Sequence, residues 1–384
     1  MKIIFKNTPA GKSDSKTLAD FRKNPPGFCD LPGDDFAEIE KFARAARRKY
    51  RQIVIAGIGG SSLPARALVD ALGDEKLEFH FLENVDPDAA GKIFAKIEWQ
   101  KALLVVISKS GGTLETLSNF FVARKFLGKK WSAQTVFLTD AKKGFLRELA
   151  EKENVATFAI PENVGGRFSI FSPVGLLPAA LAGVNLRKLL DGAAKADPKK
   201  ALEFAQIQSA EFRRGKNISV FCVYSNALES LAKWYEQLLG ESLGKNSKVG
   251  ITPAPAVGAI DQHSKLQLWC DGPDDKFYIF AGVRNFKKDF AIPTPPTDFE
   301  FLRGKKLGDI LRAEFDATTK SLAEKKRPLA IFDFAEIEPE ILGEFLQFWM
   351  LEIYFLAKIL KVNFADQPAV ERGKILAPKA LSRN

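Results

Sequence analysis

Two serines flank a lysine at Ser108-Lys109-Ser110, and Gly111, Gly112 and Thr113 follow directly. Short hydroxyls, one cation and two glycines form the donor set that suits an anion, most naturally a phosphate. Glu241, in the run GESLGK, and His263, in DQHSK, share a stretch dense in Gly, Pro, Ser and Ala. A carboxylate and an imidazole in one loop could pass protons to and from a substrate. Arg167 follows the pair Gly165-Gly166 and supplies a charge that does not titrate.

These residues need elements to hold them. Residues 103–107 are apolar and β-branched and predict a buried strand, which feeds the Ser-Lys-Ser loop. Thr113 is placed to cap the helix that follows, whose positive dipole end then faces the same loop. Residues 52–56 (QIVIA) predict another strand, followed by Gly57-Ile58-Gly59-Gly60-Ser61-Ser62 and a helix near Pro64. Further strands are expected at 77–82 and 135–139, with helices near 36–50, 86–96 and 143–152. Such alternation argues for a parallel sheet covered on both faces. Ligands of such sheets bind beyond the carboxyl ends of the strands, where both glycine loops would lie.

A second α/β block begins near residue 218, with strands at 219–224, 277–281 and 329–334 and a helix over 227–239. Residues 240–265 read as one long functional loop, and 291–296 as a proline-rich one. The apolar stretch 341–362 carries Glu344, Glu352 and Lys358 near one helical face. It predicts an amphipathic or half-buried helix and not a membrane span. Residues 1–35, polar and rich in Pro and Gly, are expected to wrap over the surface or an interface.

Composition narrows the function classes. A chain of 384 residues, 46% hydrophobic and 27% charged, suits a globular protein of two ordinary domains. The net charge of +10 is spread along the chain, so it argues for an anionic metabolite no less than for nucleic acid, and nucleic acid is disfavoured. No secretory signal pattern opens the chain. Cys29, Cys222 and Cys270 form neither a metal nor a disulfide pattern and suit a reducing cytoplasm. Cys222 lies in a strand-like run and reads as core. Only His80 and His263 are present, His80 in a strand-like run that favours a structural role, so a zinc site is unsupported. The first glycine loop lacks the third glycine of a dinucleotide fingerprint, and 240–245 lacks the P-loop spacing. No Ser-His-Asp arrangement can be defended from spacing.

Six stretches together resemble the glucose-6-phosphate isomerase (phosphoglucose isomerase) family: GIGGSSLPARAL at 57–68, SKSGGTLET at 108–116, GGRFSIFSPVG at 165–175, YEQLLGESLGK at 235–245, DQHSKLQ at 261–267 and QPAVERGK at 367–374. The resemblance implies two sugar-isomerase domains, each a five-stranded parallel sheet between helices, at 41–185 and 186–365. An N-terminal extension over 1–40 and a C-terminal segment over 366–384 complete the chain. It implies a homodimer that interconverts glucose 6-phosphate and fructose 6-phosphate without metal or redox cofactor; with the cysteine and charge readings above, the expected setting is the cytoplasm, with no cofactor, no nucleic acid and no membrane. By position, Ser61, Ser108, Lys109, Ser110 and Thr113 would hold the phosphate, and Gly60 and Gln367 would contact the sugar. Glu241 would be the base between C2 and C1, His263, donated by the neighbouring subunit, would assist ring opening, Lys374 would act at the ring and C1 oxygens, and Arg167 would face the enediolate. A bifunctional phosphoglucose/phosphomannose isomerase, a non-catalytic sugar-phosphate sensor and a dinucleotide-dependent oxidoreductase are the competing readings.

Overall fold

The computed structural model describes residues 1–11 and 14–382. Lys12 and Ser13, inside the expected N-terminal extension, and Arg383 and Asn384, at the end of the expected C-terminal segment, lie outside the described residues. Ten strands occur among the described residues: β1 (Ile3–Lys6), β2 (Gln52–Ala56), β3 (Glu78–Leu82), β4 (Ala102–Ile107), β5 (Thr135–Thr139), β6 (Ala156–Ala159), β7 (Ile218–Tyr224), β8 (Thr252–Val257), β9 (Lys276–Val283) and β10 (Leu329–Phe334). They form two five-stranded sheets in two compact units, one of Met1–Arg22 and Gly192–Phe364, the other of Lys23–Asp191 and Ala365–Asn384.

In the second unit the order is β3-β2-β4-β5-β6, and every pairing is parallel. All residues of β2, β4 and β5 are buried, as expected when helices cover both faces. The chain leaves β2 toward β3 and returns to the other side of β2 as β4. The crevice between the carboxyl ends of β2 and β4 is therefore the topological switch point. Both glycine loops, 57–62 and 108–113, open onto it. His80, in the middle of β3, is buried with its Nε2 3.3 Å from Gln52 Nε2 and from Glu78 Oε1, and burial lowers its pKa. Its role is structural, as its strand position predicts.

In the first unit the order is β1-β10-β9-β7-β8. Four strands are parallel, and β1 joins β10 antiparallel as an edge strand. Residues 3–6 therefore complete a sheet, where the composition of 1–35 suggested a wrap over the surface or an interface. The helix Pro339–Leu360 crosses this sheet and is buried without a break over residues 345–357. That corrects the half-buried expectation. Trp349, fully buried, packs within 6 Å of the rings of Phe204, Phe221, Tyr235, Phe332, Phe345 and Phe348. Over 345–357 the helix is enclosed all round, with Glu352 fully buried, while Glu344 is half-buried and Lys358 is exposed near its ends. Truncating Trp349 to Ala would cost about 3–5 kcal/mol.

The stretch 240–265 is likewise not one loop. The helix Glu229–Leu243 runs through its start, β8 occupies its middle and the helix Gln262–Asp271 begins before its end. Prolines concealed the strand. β8 lies at the sheet edge, and its even-numbered backbone groups face β7, as in Thr252 N to Asn217 O at 2.8 Å and Gly258 N to Val223 O at 2.9 Å. Pro253 and Pro255 occupy the outward positions, where a missing N–H breaks no ladder bond. The same edge is closed by side chains: Asp261 accepts from Val257 N at 2.7 Å, and Lys265 donates to Pro255 O at 3.3 Å, which blocks further strand addition.

Candidate active site

The crevice of the second unit holds a cavity of about 680 Å³ lined by Ser61, Lys109, Ser110, Thr113, Gln367 and Lys374 together with Asp140, Lys143, Gly144, Glu162 and Gly166. Two loops build its floor, and glycines lock them together. Gly111 has φ +68° and Gly144 has φ +98°. A Cβ on Gly144 would stand 2.5 Å from the Ser110 carbonyl oxygen, closer than any side chain tolerates. Gly111 N donates to Ser108 O at 3.1 Å, and Gly112 N donates to Ser110 Oγ at 3.3 Å.

Ser108 lies beneath this floor. It is fully buried, and its hydroxyl shares a 2.9 Å hydrogen bond with Thr113 Oγ1. Thr113 does occupy the N-cap position of the helix Leu114–Leu127, but its side chain makes no cap bond. The pairing with Ser108 takes the place of the expected cap. Lys109 is a brace as well as a charge: its Nζ donates to the carbonyls of Glu162 at 2.8 Å and Val164 at 2.9 Å. Burial lowers its pKa, while the carboxylates of Asp140 and Glu162 act in the opposite sense.

Asp140, Lys143, Gly144 and Glu162 line the cavity but carry no motif by which sequence alone singles them out, whereas Gly166 falls in the GGRFSIFSPVG stretch. Asp140 had one usable signal, its place directly after a buried strand, where loop residues of parallel sheets meet ligands. Its Oδ1 accepts from the backbone N–H of Lys142 at 2.8 Å and of Lys143 at 3.1 Å. Those bonds hold its carboxyl below the ordinary range.

Arg167 sits on the short 3₁₀ turn Gly166–Phe168 and is 3% exposed. Nη1 donates to Gln367 Oε1 at 2.9 Å and Nη2 to Asp366 O at 3.2 Å. Phe28 stacks on Phe168 beside it at 5.0 Å between centroids. Gly60 lies so close to this turn that a Cβ would stand 2.5 Å from Gly166 C. Ser169 Oγ donates to Gly60 O at 3.3 Å and ties the 57–62 loop to the turn that carries Arg167. Gln367 precedes the helix Pro368–Leu381, on which Lys374 is carried exposed.

Glu241 and His263 belong to the first unit. Glu241 lies in the last turn of the helix Glu229–Leu243, where its Oε1 accepts from Gln237 Nε2 at 3.0 Å. Lys245 Nζ donates to the Glu241 carbonyl at 2.6 Å. His263 is the second residue of the helix Gln262–Asp271 and is exposed. Among the described residues no group of three or more His, Cys, Asp and Glu side chains is arranged to hold a metal ion. No described helix is long and apolar enough to cross a membrane.

Comparison with known proteins gives the chain a family. The family model described as phosphoglucose isomerase matches residues 39–261. A glucose-6-phosphate isomerase of Carboxydothermus hydrogenoformans is 40% identical over 90% of this chain and 82% of its own length. One of Thermus thermophilus is 38% identical over 93% of this chain and 90% of its own. Among solved structures, a glucose-6-phosphate isomerase of Chlamydia trachomatis superposes with a TM-score of 0.76 at 22% identity, over 97% of this chain and 76% of that one. That last likeness concerns the fold. A family model spanning more than half of the sequence, and relatives this similar over most of their length, place the chain in the phosphoglucose isomerase family.

Proposed function

We propose that this chain catalyses the reversible isomerisation of glucose 6-phosphate to fructose 6-phosphate. The observation that carries the reading is the cavity of the second unit. It joins the hydroxyls of Ser61, Ser110 and Thr113 and the ammonium of Lys109 to Gln367, which holds the Arg167 guanidinium. The hydroxyls, the loop amides and Lys109 suit a phosphate, with Ser108 acting through Thr113. Gly60 and Gln367 suit the sugar.

The reaction moves protons at ring opening, between C2 and C1, and at the O1 and O2 oxygens, and the chain carries candidate groups for the first two. Ring opening breaks C1–O5; O5 gains a proton and the C1 hydroxyl loses one, which yields the open aldehyde. His263 and Lys374 are the groups assigned to those transfers. Glu241 then takes the C2 proton, and the electron pair forms the C1–C2 enediolate with negative charge on O1. Arg167 stabilises that charge without titrating. A proton moves to O1, another leaves the C2 hydroxyl, and Glu241 returns its proton to C1 to give the ketose. Phosphate contacts do no chemistry; they hold the reacting carbons in place.

We further propose that the working form is a cytoplasmic homodimer in which His263 serves the neighbouring subunit's site. Fructose 6-phosphate supplied to the purified chain with NADP-linked glucose-6-phosphate dehydrogenase tests the activity. NADPH should appear in proportion to the chain added and should not appear with Glu241→Gln. Equal turnover by that variant removes the assigned mechanism. The same assay with mannose 6-phosphate, through its own coupling, separates the bifunctional reading.

A further inference from the structure

The start of the helix bearing His263 is held by a device that no role above uses. Tyr224, the last residue of β7, is 1% exposed, and its hydroxyl donates to Gln262 Oε1 at 2.5 Å. Gln262 Nε2 in turn donates to Glu314 Oε2 at 2.5 Å. Glu314 stands on the helix Leu307–Glu324. One amide thus ties three elements of the first unit at the residue next to His263.

The polarity of the tie permits a single orientation. An ionised Glu314 only accepts, so the amide nitrogen must face it and the amide oxygen must face Tyr224. Flipping the amide would set oxygen against carboxylate. Burial pushes the Tyr224 hydroxyl well above its ordinary pKa, which keeps it a donor. Its ring is wedged against the turn that precedes the helix, since a Cβ on Gly258 would stand 2.4 Å from the ring. On the other side Asp261 Oδ2 holds Val257 N at 2.7 Å, and the Lys265 ammonium stands 3.1 Å from Asp261 Oδ1. Residue 263 is thus exposed, while residues 261 and 262 on its N-terminal side are both anchored. Asp261 makes no side-chain cap bond and the Gln262 amide bonds only other side chains, so both ties hold the helix start by something other than capping.

We infer that Gln262, gripped between Tyr224 and Glu314, is a positioning residue that fixes the direction in which His263 presents its imidazole for ring opening. The inference rests on the ring-opening role of His263 proposed above. It separates two parts of the reaction, because an open-chain sugar phosphate needs no ring opened.

The test compares Gln262→Ala, Tyr224→Phe and His263→Ala with the parent chain by two measurements. One is the catalysed exchange between α and β anomers of glucose 6-phosphate, read by NMR. The other is affinity for glucitol 6-phosphate, which has no ring. Gln262→Ala should slow anomer exchange about tenfold, in line with the cost of a loosened catalytic group, with glucitol 6-phosphate affinity held within about twofold of the parent. A third arm reverses the polarity of the tie. Gln262→Glu alone sets two carboxylates together and should lose anomer exchange, whereas Gln262→Glu combined with Glu314→Gln rebuilds both bonds and should recover it. If His263→Ala leaves anomer exchange intact, the role of His263 falls and its positioning falls with it. If His263→Ala abolishes exchange while Gln262→Ala and Tyr224→Phe do not alter it, the positioning alone is overturned. Parallel loss of glucitol 6-phosphate affinity, or no recovery in a folded double variant, overturns it equally.

Discussion

Arg167 donates from Nη1 to the amide oxygen of Gln367 at 2.9 Å, across 200 positions of sequence. A guanidinium that is 3% exposed is held by a residue that itself lines the cavity. The planar fork sets the direction of the charge, and a lysine cannot reproduce that geometry. Arg167→Lys should lower kcat by roughly 10²-fold, the scale of losing one fixed donor to a developing oxyanion. KM should change far less. Steady-state kinetics with fructose 6-phosphate decide the matter, and a kcat within about threefold of the parent would count against an enediolate-facing role.

Gly144 offers a test of the cavity floor that replaces no proposed ligand residue. Alanine there meets both an unfavourable φ of +98° and the Ser110 carbonyl at 2.5 Å. Gly144→Ala should destabilise the second unit by about 1–3 kcal/mol. It should also raise KM for sugar phosphates, because Ser110 and Gly111 move. Thermal melts and KM are to be read together. An unchanged melt with unchanged KM would mean that the two loops are not locked as described.

The phosphate-type loop was legible because its signal is local: an apolar run, then Ser-Lys-Ser-Gly-Gly-Thr at a helix start. The parallel sheet was legible for the same reason, since β2, β4 and β5 are buried on both faces, β4 as an unbroken apolar run and β2 and β5 around apolar centres. What misled is tertiary. β8 reads as coil because of Pro253 and Pro255, and only its edge position makes those prolines harmless. β1 is four residues long and is a strand only because β10 offers an edge. Thr113 was expected to cap its helix by propensity, yet Ser108, buried below it, takes its hydroxyl. Asp140 and Glu162 reach the cavity from loops whose sequence has no pattern. Glu241 and His263 stood out by residue type, but their roles came from motif resemblance and not from spacing.

The proposed sharing of His263 between subunits makes an unusual prediction. Glu241→Gln and His263→Ala chains should each be inactive alone. Mixed and allowed to exchange subunits, they should regain activity, because a heterodimer keeps one site with an intact Glu241 and an intact partner imidazole. With random exchange, half the dimers are mixed and each has one working site, so about a quarter of parental activity is expected. Kinetics on the mixture, with size-exclusion chromatography to establish the dimer, provide the measurement. A mixture as inactive as its components would argue that each subunit uses its own His263.

Glu352 makes a prediction about stability and pH. It is fully buried in the helix Pro339–Leu360, and neither carboxyl oxygen has a hydrogen-bond partner. Burial raises its pKa well above the ordinary 4.5, because the charged form has lost its hydration. Below pH 4.5 the folded and unfolded chains both hold the proton, and titration of this group costs nothing. Above it the unfolded chain releases the proton while the folded chain keeps it, so rising pH favours unfolding until the folded pKa is passed. The loss is at most about 1.4 kcal/mol per pH unit. Glu352→Met fills a similar volume and removes both the titration and the two unpartnered oxygens. It should raise the melting temperature, by little at pH 5 and by several degrees at pH 8, where about 1 kcal/mol shifts Tm by roughly 2–4 °C in a unit of this size. Melts of parent and variant across that range give the answer. A difference that shrinks as pH rises would mean that the carboxyl is ionised and paired in the fold.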